Sequence, residues 1–109
     1  MQKMSVKIYN KLVRDKIPQI IEQYGKQAII EEVTGEKYLE LLKAKLGEEL
    51  QEYLDSESTE ELADLVEVVY AILDYKGVSL QEFELIRKQK VEERGAFIKR
   101  LLLKEVIDG

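Results

Sequence analysis

The chain has no cysteine and no histidine, and these two absences remove much of the common catalytic repertoire. Without cysteine there is no disulfide framework and no thiolate metal site. Without histidine, imidazole zinc sites, histidine general bases and Ser-His-Asp triads are excluded. Any chemistry must rest on carboxylates, Lys, Arg, Tyr, Ser or Thr. An excess of basic charge is missing as well: 22 acids outweigh 17 bases, for a net charge of −5. A nucleic-acid binder needs the reverse balance. No apolar run of about 18 residues exists to span a membrane, and no apolar signal region follows the start Met1-Gln2-Lys3-Met4. The expectation is a cytoplasmic, soluble protein with neither membrane nor nucleic acid as partner. Repeats, Pro-rich linkers and low-complexity segments are also absent.

What is present is a chain of 109 residues, room for a single domain spanning 1–109, with 45% hydrophobic and 36% charged residues. The charges interleave with the apolar residues, which argues for amphipathic helices and against disorder. Pro18 suits a first helical position and Gly25 a helix stop, so Pro18 to Tyr24 reads as a short helix. Ala28 to Val33 reads as a short strand or an irregular link. From Glu36 to Leu54, Leu39, Leu42, Leu46, Leu50 and Tyr53 recur at three- and four-residue steps, the stripe of an amphipathic helix. Asp55 to Thr59 is a turn. Ser58 with Glu61 matches a capping box and opens a second long helix to Lys76, apolar around much of its circumference. Ser79 with Glu82 opens a third helix that Gly95 stops after Arg94. The tail, Ala96 to Ile107, can be extended, helical or partly both. The fold class expected is all-α, with long antiparallel helices.

Acids gather on the two long helices. Glu48, Glu49 and Glu52 lie on the first; Glu61 and Asp64 lie on the second. Residues three apart share a helix face, so Glu49/Glu52 and Glu61/Asp64 each form a two-carboxylate edge. Antiparallel packing across the short turn brings the edges together as a set of hard oxygen donors, the set Mg²⁺ or Mn²⁺ prefers. Glu49 falls at the margin of its apolar stripe, and Glu61 projects between the directions of Leu65 and Val68. Acids beside apolar surface lose solvation and need a compensating cation or a raised pKa. Few lysines interleave to neutralise them. The plainer reading is a solvated acidic face on a non-catalytic helical interaction module.

Glu48-Glu49-Leu50-Gln51-Glu52 followed by Glu61-Leu62-Ala63-Asp64 resembles the EExxE…ExxD signature of the MazG-like all-α NTP pyrophosphatases. KLGEELQEY and ELADLVEVVYAIL resemble consecutive helices of the phosphoribosyl-ATP pyrophosphohydrolase-like subgroup, as do the flanks YNKLVRDKIP and KVEERGAF. The resemblance thus covers nearly the whole chain. It implies a helical bundle completed by homo-oligomerisation, as a dimer or tetramer, and Mg²⁺-dependent cleavage of a nucleoside triphosphate between the α- and β-phosphates. The products are a nucleoside monophosphate and pyrophosphate, as in nucleotide-pool house-cleaning. Carried over by position, Glu48, Glu49, Glu52, Glu61 and Asp64 would ligate the metal, and Glu49 or Glu52 would activate the attacking water. Lys11, Arg14, Lys16, Lys90 and Arg94 would meet the phosphates, with Lys88 and Lys99 as further basic candidates. Tyr9, Tyr53, Tyr70 and Phe97 could stack on a base, although aromatics at helical spacing more often belong to a core. The alternative function is a non-catalytic helical oligomer that binds nucleotides or other partners.

Overall fold

A computed structural model describes residues 5–109; the Met1 to Met4 start lies outside the described residues. The described chain is all-helical, with α1 over Ile17–Gln23, α2 over Gly35–Ser56, α3 over Thr59–Lys76 and α4 over Leu80–Arg94. Pro18 sits in the first turn of α1, where its missing N–H costs nothing. Gly25, at φ 75°, turns the chain out of the helix. Ala28 to Val33 is irregular link, with no strand among the described residues. The N-cap of α4 is the predicted one: the Ser79 hydroxyl accepts from the Glu82 N–H at 3.1 Å. The predicted capping box at α3 does not form. Ser58 takes the N-cap position without a side-chain bond, and its hydroxyl and N–H turn to the Ser56 hydroxyl instead. That leaves Glu61 free to turn elsewhere.

The centre of the fold is the antiparallel α2–α3 hairpin. Tyr38 near the start of α2 meets Tyr75 at the end of α3 edge-to-face, with centroids 5.8 Å apart. Among the helices, α4 touches only α3, and α1 packs on none of the others. Among the described residues, Leu42 of α2 and Val68 and Leu73 of α3 are the buried apolar side chains. Seven residues on from Leu42 is Glu49, and seven before Val68 is Glu61. Seven helical steps return to within about 20° of the starting direction. The contact line of the hairpin is therefore apolar at its open end and acidic near the turn.

Much of the expected core is open. Leu50, Leu54, Leu62, Val66 and Tyr70 are 39–57% exposed. The tail after Gly95 is non-helical and exposed throughout, Phe97 included, so that residue belongs to no core here. The chain presents 10628 Å² of surface, where a compact monomer of 12.7 kDa would present about 6200 Å². Its radius of gyration is 19.7 Å, against about 13 Å for a compact domain of this length. Three buried side chains contribute about 1.5–3 kcal/mol each, little against an ordering cost of about 1–2 kcal/mol per residue. No helix of the described residues is long and apolar enough to cross a membrane.

Candidate metal centre

The acids of α2 and α3 meet at the turn-proximal end of the hairpin. Glu48, Glu49 and Glu52 form one group and Glu49, Glu61 and Asp64 another, each with carboxylate oxygens within 4.8 Å of one another. Glu49 belongs to both and joins the helices. Opposite oxygens around Mg²⁺ stand about 4.2 Å apart, twice its bond length. The bound on the oxygen separations is close to the span of such a shell.

Burial makes this more than an acidic face. Glu49 is 5% exposed. One carboxylate oxygen of Glu49 and one of Glu61 are buried without a hydrogen-bond partner. A buried carboxylate oxygen without a protein donor is costly and calls for a proton or a cation. The Glu49 carboxyl is accordingly held above the usual range, first by burial and then by the neighbouring Glu52 carboxylate, against the opposing pull of Lys45.

Three cations meet the cluster. Lys11 Nζ donates to Glu48 Oε1 at 2.6 Å, and Arg14 to Asp64 Oδ1 at 2.7 Å. The segment before α1 thus crosses both helices of the hairpin. Lys45, one turn before the acids on α2, places Nζ 3.3 Å from Glu48 Oε2 and 3.2 Å from Glu49 Oε1. Contact with Lys11 holds the Glu48 carboxyl below its usual range, while Glu48 raises Lys11. The expectation that few lysines neutralise the acids is therefore corrected. Even so, five carboxylates face three cations, leaving two negative charges when all are ionised.

Of the basic residues expected to meet phosphate, Lys11 and Arg14 lie at the acids. Lys16, at the N-cap of α1, is exposed and joins no ion pair among the described residues. Lys90 and Arg94 are exposed on α4, which reaches α3 alone. Lys88 lines a shallow surface hollow with Gln81, Glu84 and Leu85, and Lys99 lies on the exposed tail. Lys45 was missed by the sequence reading, although its three- and four-residue spacing to Glu48 and Glu49 was visible. Of the aromatics, Tyr9 stands beside Lys11, whose Nζ is 5.8 Å from the ring centroid. Tyr70 instead faces a hollow between α3 and α4. No protein-family model matches the chain, nor does any curated protein or solved structure.

Proposed function

We propose that the chain is a Mg²⁺-dependent nucleoside triphosphate pyrophosphohydrolase of the MazG-like kind, with Mn²⁺ as a substitute ion. The observation that carries this reading is the pair of buried, partnerless oxygens on Glu49 and Glu61 within a five-acid cluster. The signature resemblance supplies the reaction class. Glu48, Glu49, Glu52, Glu61 and Asp64 would hold the ion, since all are hard oxygen donors and two of them have a buried oxygen without a hydrogen-bond partner. Bound there, a divalent ion neutralises phosphate oxygens and makes a coordinated water more acidic.

The chain's own residues do the rest. Glu49 or Glu52 orients the water and takes its proton. Lys45 holds Glu48 and Glu49 in place. Lys11 and Arg14, presently on carboxylates, are within reach of phosphates brought to the same acids, and the Arg14 guanidinium suits bidentate phosphate binding. Tyr9 is then available to stack on the base. Lys16, Lys90 and Arg94 join the substrate-binding set only if a second subunit brings them to the acids. The proposed assembly is a homodimer, or a homotetramer built from two dimers, in the cytoplasm.

A second reading, a nucleotide-binding or interaction module without turnover, draws on the ion pairs of Lys11, Arg14 and Lys45, which already offset part of the acidic charge. Ion-exchange analysis of a panel of nucleoside triphosphates incubated with the protein and Mg²⁺ separates the two. The hydrolase gives monophosphate and pyrophosphate in equal amounts. Diphosphate with orthophosphate would overturn the bond assignment, and unchanged nucleotide would leave the binding module.

A further inference from the structure

The chain carries two apolar surfaces that nothing within it covers. One is the hollow where α4 splays from α3. It encloses about 510 Å³ and is lined by Val66, Val69, Tyr70, Leu80 and Phe83, together with the ion-paired Glu84 and Arg87. The other is the segment after Gly95, where Phe97, Ile98, Leu101, Leu102 and Leu103 are 77–97% exposed. A run such as Leu101 to Leu103 has the composition of a segment buried on both sides, yet here it stands in solvent.

We propose that the carboxyl-terminal segment 97–107 of one copy seats in the α3–α4 hollow of a second copy, so that two chains exchange tails. Three observations choose this occupant. The surface beyond that of a compact monomer is about 4400 Å², well above the roughly 800 Å² per partner that a stable interface requires. The hollow and the tail are complementary in kind, an apolar recess and an apolar strip, and each copy supplies one of each, as a two-fold dimer requires. Charge also matches. Glu60, Glu67 and Asp74 recur every seven residues along α3 beside Val66 and Tyr70, all exposed and without ion pairs among the described residues. The tail brings Lys99, Arg100 and Lys104 between its apolar residues. The exchange does not depend on the hydrolase reading, because neither surface contains a residue of the acid cluster.

The absence of cysteine makes the test clean. Full-length Tyr70→Cys and Leu102→Cys chains, carrying tags of different size, are mixed and oxidised, and their masses compared by sedimentation equilibrium. The expected result is a disulfide-linked heterodimer, and for the unsubstituted chain a mass at least twice 12.7 kDa. Leu102→Glu with Leu103→Glu should reduce that mass to one chain while helical circular dichroism persists. Should Tyr70→Cys not fold, Arg87→Cys, also in the lining of the hollow, replaces it. A monomeric unsubstituted chain overturns the proposal. So does a chain carrying both Tyr70→Cys and Leu102→Cys that forms its disulfide only within one monomer, or an oligomer that forms no mixed disulfide and ignores the glutamate substitutions.

Discussion

Replacing Glu61 by glutamine should change stability in opposite directions with and without Mg²⁺. In the metal-free chain Glu61 keeps a buried oxygen without a partner, close to Glu49, which has another. A glutamine of similar shape removes one charge and can donate its amide N–H to the Glu49 carboxylate. A hydrogen bond to a charged group contributes about 1.5 kcal/mol at the lower end of its range. Unfolding entropy of about 2.1 cal/mol/K per residue makes about 0.23 kcal/mol/K for this chain, so the metal-free Tm should rise by about 6 °C. With Mg²⁺ at about 100 times its Kd, binding adds about 2.7 kcal/mol to the unsubstituted protein, or about 12 °C. The glutamine variant, lacking one of the proposed ligands, should lose most of that increment. Thermal unfolding by circular dichroism, in EDTA and in Mg²⁺ at one protein concentration, reads both effects. An unsubstituted Tm that ignores Mg²⁺, or a variant that gains the full increment, would refute the reasoning.

Other substitutions probe the cations and the pH dependence. Lys45→Met removes the 17%-exposed ammonium beside Glu48 and Glu49; the metal-free protein should lose about 1–3 kcal/mol in urea unfolding, and the Mg²⁺ increment should grow. Arg14→Ala breaks an ion pair whose partners are 56% and 38% exposed, so stability should fall by no more than about 0.5 kcal/mol. Its KM for the nucleotide should nevertheless rise about tenfold or more, as measured by steady-state kinetics. Because Glu49 titrates above the usual carboxylate range, its ionisation costs the folded metal-free chain stability as pH rises from the ordinary carboxylate pKa through the raised one. Glu48, held low by Lys11, acts oppositely: its contribution is present above the usual range and fades as pH falls through its lowered pKa. With Glu49 as a ligand, as proposed, Mg²⁺ binding should displace its proton at a pH where the raised carboxyl is still protonated, and calorimetry in two buffers of different ionisation heat should register proton release there and none in alkali.

The helices were largely legible in the sequence because local signals agree with one another. The stop at Gly77 bounds α3, which runs over Thr59–Lys76 as read, whereas α2 continues to Ser56, through the first two residues of the expected turn, and only Glu57 and Ser58 separate the helices. The acids were legible by spacing, since positions three and seven apart set a helix face whatever the partner. Three features were not. Ser58 and Glu61 have the pattern of a cap, but Glu61 lies on the contact line with α2, and the cluster takes its carboxylate. Lys11 and Arg14 reach acids 37 and 50 residues away, a pairing no local pattern encodes. The exposure of Leu50, Leu54 and Leu62 was hidden because periodicity marks an apolar stripe without saying which molecule covers it.

The central claim is that the acids of α2 and α3 form a Mg²⁺-dependent hydrolytic site, and the most direct test is pyrophosphate release. Unsubstituted protein and Glu61→Gln are compared on nucleoside triphosphates with Mg²⁺ and with excess EDTA. The account predicts release that requires Mg²⁺ and disappears in the variant while its fold persists. Release that survives EDTA or the substitution would contradict it, as would silence from the unsubstituted protein across the full panel.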